Sequence, residues 1–143
     1  EELLVVGILK GASVFCADLI REIDLDVRMD FMVVSSYGSS TESSGTVKII
    51  KDLDVDIENK NVLIVEDIID SGLTLSSLVA ALKTRRPKSL KLCTLLDKPQ
   101  RRTANIDVDY VGYVIEDKFI VGYGIDYDEK YRNLPYIGIV EDI

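Results

Sequence analysis

The sequence predicts an α/β fold whose open, mostly parallel, twisted sheet is flanked by helices. Short apolar runs rich in Val, Ile and Leu recur along the chain, and two segments with helical spacing lie between them. The chain has 143 residues, which is enough for one such domain and too few for two with separate cores. We therefore expect a single domain over residues 1–143.

The first half of the chain begins with an apolar run at 3–8, which predicts a buried strand ending near Gly11. Ser13 is the predicted cap of a helix that continues to about residue 23, because four apolar residues follow at helical spacing. These four are Cys16, Leu19, Ile20 and Ile23. Residues 30–35 and 47–50 then predict two strands of a hairpin.

The second half alternates strands with one clear helix. Leu75, Leu78, Val79 and Leu82 repeat at helical spacing before Pro87, which predicts that helix. The connection between Leu96 and Tyr110 is charged, and we expect it to be irregular. The predicted strands are 61–66, 89–96, 110–115 and 136–140.

Composition excludes several kinds of chemistry. The chain contains no histidine, so catalysis falls to carboxylates, Lys, Tyr and backbone amides. Cys16 and Cys93 lie in apolar runs without CxxC spacing, which indicates buried free thiols in a reducing compartment. The formal net charge of −8 argues against nonspecific nucleic-acid binding. With no signal-like segment and no apolar run near membrane-spanning length, we expect a cytoplasmic protein without a membrane partner.

Residues 36–46 (SYGSSTESSGT) are rich in Ser, Gly and Thr. This composition buries too little surface to offset its ordering entropy, so it predicts a mobile loop at the tip of the hairpin. Long loops in compact domains are often lids over a site. From the residues alone, a lid and a passive tip are equally plausible.

The most informative stretch is VLIVEDIIDSGLTL, residues 62–75. An apolar strand ends in Glu66 and Asp67, and the turn that follows leads into a helix at the sheet edge where α/β proteins bind ligands. Gly72, two hydroxyls and free helix amides in residues 70–74 suit a monophosphate. The two carboxylates need hydroxyl donors or a cation such as Mg²⁺. Taken alone, the acids would more often simply cap the helix.

This stretch resembles the phosphoribosyl pyrophosphate motif of type I phosphoribosyltransferases, and within them the hypoxanthine-guanine branch. The resemblance implies that Glu66 and Asp67 bind the ribose hydroxyls and that Asp70 is a general base near purine N7. It also implies a cradle for the 5′-phosphate, formed by Asp70, Ser71, Gly72, Leu73 and Thr74.

Other segments resemble the same branch, from Leu4 to about Ile139. Lys10 and Gly11 match the pyrophosphate loop, in which the Lys-Gly or an equivalent peptide can be cis, and Ser36 and Tyr37 match the catalytic lid. Lys98 matches the lysine that reaches the purine 6-oxo group, and we expect it to favour 6-oxopurines because it donates and cannot accept. The remaining implied contacts are Phe119 stacking on the base, the Ile120 backbone at its far edge, Asp126 beside the base and pyrophosphate, and Arg132 on pyrophosphate.

The resemblance implies a type I phosphoribosyltransferase fold with a flexible lid loop and a small base-binding hood. It implies purine salvage, in which phosphoribosyl pyrophosphate and hypoxanthine or guanine give IMP or GMP. Mg²⁺ is the implied cofactor, with Asp126, Glu66 and Asp67 as candidate ligands, and a homodimer or homotetramer is the implied assembly. Family members carry a segment before the first strand, which we expect to be missing here. A xanthine-preferring enzyme and a regulatory nucleotide-binding protein on the same fold are the alternatives.

Overall fold

The computed structural model of the chain describes residues 2–36 and 47–141. The elements are β1 (Glu2–Ile8), α1 (Ser13–Ile20), β2 (Asp26–Ser36), β3 (Val47–Lys51), β4 (Asn61–Ile69), α2 (Leu73–Lys83), β5 (Ser89–Asp97), β6 (Tyr110–Val114), β7 (Ile120–Val121) and β8 (Gly138–Ile139). A single 3-10 turn, Pro99–Arg101, lies in the predicted irregular connection.

Six strands form the main sheet in the order β3-β2-β1-β4-β5-β6. β3 pairs antiparallel with β2, and all other neighbours in this sheet are parallel. β7 and β8 form a separate antiparallel pair. The predicted α/β class, the mostly parallel sheet and the hairpin of β2 with β3 are therefore confirmed.

The core lies on both faces of the central strands. In β4, Val62 to Val65 are at most 8% exposed, and these residues pair with β1 on one side and β5 on the other. A strand covered on both faces has a continuous apolar run, which is why β4 could be predicted from the sequence. Leu75, Leu78 and Leu82 of α2 are buried against the same core, as their spacing predicted.

Two local predictions were wrong. Ser13 does not cap α1, because the helix begins at Ser13 itself and Ala12 occupies the cap position without a side-chain bond. The polar turn expected from Asp67 begins later, since β4 continues through Ile69 in register with Asp97 of β5. Two carboxylates, Glu66 and Asp67, therefore lie on the strand itself.

The two cysteines are buried free thiols, as expected. Burial raises the pKa of the Cys16 thiol to about 11 and also raises the pKa of Cys93. Both groups are therefore protonated and unreactive near neutral pH. Within the described residues, no helix is both long and apolar enough to cross a bilayer.

Candidate active site

The site lies at the carboxyl ends of β1, β4 and β5, where the connecting loops of neighbouring parallel strands meet. The strand register explains which side chains come together. Because Ile69 pairs with Asp97, the next residues along the two strands, Asp70 and Lys98, are neighbours. The Lys98 amide donates to the Ile69 carbonyl at 3.0 Å and fixes this arrangement.

Asp70 and Lys98 face each other across the end of the sheet. Lys98 Nζ lies 3.7 Å from an Asp70 carboxylate oxygen and 3.5 Å from Asp117. The Lys98 side chain is only 10% exposed, whereas half of the Asp70 side chain is accessible. Arg101 also contacts Asp117, at 3.2 Å. A largely buried ammonium group is thus held between two carboxylates, as a buried charge requires.

The turn after β4 encloses a cavity of about 180 Å³ lined by Glu66 and residues 68–75. Gly72 has a φ of 79°, a conformation that favours glycine, and it occupies the cap position of α2. The first backbone bond closing the helix runs from the Ser76 amide to the Gly72 carbonyl. The first amides of a helix have no partner within it, and here the Leu73 amide donates to Ser71 Oγ at 3.3 Å. A helix start of this kind is suited to an anion.

The Arg102 side chain holds this turn in place. Arg102 Nε donates to the Asp70 carbonyl at 3.1 Å, and its guanidinium also contacts Asp97 in a close ion pair. The Ser71 carbonyl accepts bonds from the amides of Thr103 and Ala104. The predicted phosphate cradle is therefore fixed to the irregular connection after β5.

Glu66 and Asp67 lie at the end of β4. Burial, followed by the adjacent Asp67, raises the pKa of Glu66 well above its usual value. Burial is also the main cause of the raised pKa of Asp67, which nearby Asp126 raises further and nearby Arg132 lowers. A ligand that brings hydroxyl donors or positive charge would relieve this unfavourable pair.

The loop between β1 and α1 packs directly on these carboxylates. A Cβ placed on Gly11 would lie 1.9 Å from Asp67 Oδ2, so a larger residue here would displace the Asp67 carboxylate. The peptide bond between Leu9 and Lys10 is cis. The resemblance implied a cis bond at Lys-Gly or an equivalent peptide of this loop, and it occurs one peptide earlier than Lys10-Gly11.

Arg132 comes from the turns between β7 and β8. Its guanidinium donates to the Gly124 carbonyl at 2.8 Å and lies 3.5 Å from Asp126 and 3.2 Å from Glu129. Among the residues that the structure describes, Arg132 Nε is the buried side-chain atom left without a hydrogen-bond partner. This donor is available for a further acceptor.

Phe119 precedes β7 and is 44% exposed, so it is not the core residue that an aromatic side chain near a strand usually is. Its ring meets Tyr127 edge to face at a centroid distance of 5.2 Å. Ile120 is buried and pairs with Ile139 in the small sheet. Phe119 therefore presents an accessible aromatic surface on a small separate layer, consistent with the predicted hood.

Of the two predicted lid residues, the structure describes Ser36, and Tyr37 with the rest of the predicted loop through 46 lies outside the described residues. Ser36 Oγ lies 3.1 Å from Thr74 Oγ1. At the other boundary, the Val47 amide donates to Ser77 Oγ at 3.1 Å. Ser36 and Val47 thus both contact the first half of α2, next to the predicted phosphate cradle.

Among the described residues, the structure thus brings several of the predicted ones to one edge of the sheet, namely Lys10, Gly11, Glu66, Asp67, Asp70, Lys98, Asp126 and Arg132. It adds four that the sequence reasoning gave no role. Arg102 and Asp117 support Asp70 and Lys98, Gly124 lies against Gly11, and Glu129 contacts both Lys10 and Arg132. The Lys10–Glu129 contact spans 119 positions in the chain. Only the three-dimensional structure reveals contacts of this kind, because no local pattern encodes them.

Comparisons with known proteins agree with this geometry. The family model described as "Phosphoribosyl transferase domain" matches residues 1–128. The chain is 61% identical over 138 residues to the hypoxanthine-guanine phosphoribosyltransferase of Bacillus subtilis (strain 168), covering 96% of this chain and 77% of the relative. It is 56% identical over 140 residues to the hypoxanthine phosphoribosyltransferase of Escherichia coli (strain K12), covering 98% of this chain and 79% of the relative.

A solved structure extends the similarity to the fold. The crystal structure of a hypoxanthine-guanine phosphoribosyltransferase from Bacillus anthracis superposes with a TM-score of 0.94 at 58% identity, covering 98% of this chain and 82% of that one. That structure has a HEPES molecule in its active site. The mostly parallel sheet described above is thus the type I phosphoribosyltransferase fold, and the chain belongs to the phosphoribosyltransferase family, among its hypoxanthine-guanine members.

Proposed function

We propose that the chain transfers the 5-phosphoribosyl group of phosphoribosyl pyrophosphate to N9 of hypoxanthine or guanine, forming IMP or GMP and pyrophosphate. The observation that carries this proposal is the 3.7 Å separation of the Asp70 carboxylate and the Lys98 ammonium. A 6-oxopurine presents N7 and O6 side by side on one edge. An acid beside an ammonium group matches that edge, because the carboxylate can accept the proton of N7 and the ammonium group can donate to O6.

The two side chains have different roles in this arrangement. Lys98 donates to O6 and cannot accept from an amino group, so it favours 6-oxopurines over 6-aminopurines. Asp70 is placed to accept the N7 proton as N9 attacks the sugar, and it is exposed enough to reach the base. Phe119 would stack on the ring, with the Ile120 backbone at the far edge of the base.

The sugar and its phosphate would lie along β4 and the turn that follows. The 5′-phosphate would occupy the cavity at the start of α2, where Ser71, Thr74 and the backbone amides donate to it. Glu66 and Asp67 would accept bonds from the ribose hydroxyls, which bring the donors that these half-buried carboxylates need. Holding the sugar at both ends positions its C1 for attack, and such positioning supplies much of the rate in group transfer.

Pyrophosphate would leave toward Lys10, the Gly11 loop and Arg132. Arg132 suits this role because its guanidinium binds phosphate oxygens in a bidentate manner and its buried Nε has an unused donor. Ser36 lies beside Thr74, where a closing lid with Tyr37 would exclude water from the cation-like sugar. Gly11 allows the Asp67 carboxylate to lie against the backbone of this loop.

The carboxylates also fit Mg²⁺ delivered with the substrate. Within residues 2–36 and 47–141, no three acidic, His or Cys side chains cluster as a complete metal site. Mg²⁺ is commonly held by one or two carboxylates together with substrate phosphates, so an incomplete protein site is the expected form. One or two of the candidate ligands Glu66, Asp67 and Asp126 would hold it, and when bound it would neutralise charge on the departing pyrophosphate.

The test is base-dependent release of pyrophosphate from phosphoribosyl pyrophosphate, measured with and without Mg²⁺. We expect turnover with hypoxanthine and guanine and a loss of turnover when Mg²⁺ is chelated. Adenine should give none, because its 6-amino group offers Lys98 no acceptor. Faster turnover with xanthine than with hypoxanthine would favour the xanthine alternative, and binding without turnover of any base would favour a regulatory protein.

The cytoplasmic location and a homodimer or homotetramer belong to this proposal. Most soluble oligomers are symmetric assemblies of one chain. Sedimentation of the purified protein over a range of concentrations would measure the assembly. A monomer that is fully active at all concentrations would contradict the expected oligomer.

A further inference from the structure

We propose that Glu129 is a further residue of the pyrophosphate subsite, where its carboxylate holds Lys10 and Arg132 and competes with pyrophosphate for them. This inference rests on the function proposed above. Glu129 Oε2 lies 3.3 Å from Lys10 Nζ and 3.2 Å from an Arg132 guanidinium nitrogen. A single carboxylate oxygen thus bridges the two cations to which the leaving group was assigned.

The backbone around Glu129 places the carboxylate at this position. Asp128, Glu129 and Tyr131 have φ values of 54°, 64° and 76°, in the left-handed region that non-glycine residues rarely adopt. Tyr127 and Lys130 exchange backbone bonds of 3.0 Å, which close a tight turn. The Glu129 amide also donates to Asp126 Oδ2 at 2.9 Å. Such a conformation persists only where the surrounding contacts determine it.

The charges of the two partners show what the contact does. Arg132 and Lys10 hold the pKa of Glu129 below its usual value, through the hydrogen bond from Arg132 first and that from Lys10 second. The carboxylate is therefore ionised at neutral pH and is itself an anion for both cations. Pyrophosphate that binds Lys10 and Arg132 has to displace it.

The contact is weak enough to be displaced. The Glu129 side chain is 63% exposed and that of Lys10 is 68% exposed, so water screens the attraction between them. Arg132 keeps its bond to the Gly124 carbonyl without Glu129, so its guanidinium stays in place. Glu129 would thus lower the affinity for pyrophosphate without disrupting the site, which favours product release.

The sign of the effect separates this role from a purely structural one. If Glu129 only supported the loop, removing its charge would weaken the binding of phosphoribosyl pyrophosphate. If it competes, the same change strengthens binding of both the substrate and the product. Two exposed ion pairs correspond to an effect of about two- to tenfold.

The experiment compares Glu129→Gln with Asp128→Asn in the full chain. Both variants remove one negative charge from adjacent positions, and Asn tolerates a positive φ at least as well as Asp. For each protein we would measure the KM for phosphoribosyl pyrophosphate, the inhibition constant of pyrophosphate and kcat with hypoxanthine. Direct titration with inorganic pyrophosphate provides a binding constant that does not depend on turnover.

In Glu129→Gln we expect both constants to fall by about two- to tenfold, and Asp128→Asn should keep the original values. Unchanged or weaker binding in Glu129→Gln, or an equal gain in Asp128→Asn, would overturn the inference. If the unmodified protein shows no turnover, the proposed function fails. The titration then still decides whether Glu129 competes with pyrophosphate for the two cations.

Discussion

The site is built from two regions that differ in how they are held. The sheet edge consists of Glu66, Asp67, Asp70 and Lys98, which extend from β4 and β5 at the centre of the main sheet. The turn segment, residues 117–134, carries Phe119 just before β7, and it carries Asp126, Glu129 and Arg132 on tight turns between the two strands of the small sheet. The first region is anchored by buried parallel strands. The second is held by backbone bonds of its turns, by ion pairs of Arg132, and by a small apolar cluster in which Ile120 and Ile125 pack with Leu95 and Leu96.

This difference suggests a division of labour. Groups on rigid strands keep their geometry, as atoms near the reacting bond require. Groups on turns can move, as residues that admit and release substrates require. We therefore expect substitutions at the sheet edge to reduce the chemical rate and substitutions in the turn segment to change binding and stability.

The largest effect is expected for Asp70→Asn. The substitution keeps the shape and removes the base, so kcat should fall by about 10²–10⁴-fold. Binding of phosphoribosyl pyrophosphate should change little, because backbone amides and hydroxyls form most of the cradle. Single-turnover kinetics with substrate titration would separate the two quantities. Full turnover with unchanged binding would remove Asp70 from the mechanism.

Lys98→Met should have the next largest effect, at the same edge. Losing a hydrogen bond from a charged donor to O6 should lower kcat/KM for hypoxanthine by about ten- to a hundredfold. The KM for phosphoribosyl pyrophosphate should stay the same, since Lys98 faces the base. Steady-state kinetics with each substrate varied in turn would measure both.

Arg101→Met is the matched control for Lys98. Arg101 shares the carboxylate of Asp117 at 3.2 Å but is far more exposed. Its removal should leave base selectivity intact. If both variants lost hypoxanthine activity equally, the ion-pair cluster around Asp117, rather than Lys98 itself, would determine recognition of the base.

The two regions also differ in how much the sequence could predict. The β4 part of the sheet edge has a contiguous pattern, an apolar strand ending in acids before a turn and a helix, so residues 62–75 could be located from the sequence alone. The roles of its acids and of Lys98 were assigned through the family resemblance. The extension of β4 to Ile69 could not be predicted, because Asp67 resembles the start of a polar turn. Its strand conformation depends on pairing with β5, which is a long-range contact.

The turn segment could be predicted only through the family resemblance. Its turns place six residues at positive φ, Gly122, Tyr123, Gly124, Asp128, Glu129 and Tyr131, and four of these are not glycine. Its contacts reach residues such as Lys10, more than a hundred positions away. Periodicity carries no signal for such a segment, which is why Glu129 had no assigned role. The predicted roles of the individual site residues remain predictions until they are measured.

Gly124→Ala tests the contact between the two regions, with a smaller expected effect. Gly124 has a φ of 99°, and an added Cβ would lie 2.7 Å from the Gly11 carbonyl oxygen. We expect a loss of about 1–3 kcal/mol in the free energy of unfolding. Gly138→Ala in β8 is the control, since its nearest contact is a Tyr136 side-chain atom at 3.5 Å. Urea denaturation would measure the free energy of unfolding of both variants. Equal values for the two would mean that the turn segment packs more loosely than described.

Glu66→Gln is expected to have the smallest effect. Unlike Gly124→Ala, it should raise the free energy of unfolding. Burial raises the folded-state pKa of Glu66 above its unfolded value, so folding favours the protonated form. This contribution to stability is complete below the unfolded pKa and is lost as the pH rises through the folded pKa. Gln keeps the shape without the charge, so at neutral pH we expect a higher free energy of unfolding for the variant than for the unmodified protein.

The free energies of unfolding of the variant and of the unmodified protein would be measured between about pH 4 and pH 8, a range that contains the ordinary Glu pKa. Their difference should grow with pH. The same variant should bind phosphoribosyl pyrophosphate more weakly, because an ionised Glu66 accepts the ribose hydroxyl bonds better than an amide. Stability gained together with binding lost would show that the rigid edge carries a functional charge at a cost to folding. A variant that is less stable at every pH would instead mean that the Glu66 carboxylate has a stabilising partner, and the charge at the sheet edge would then not be destabilising.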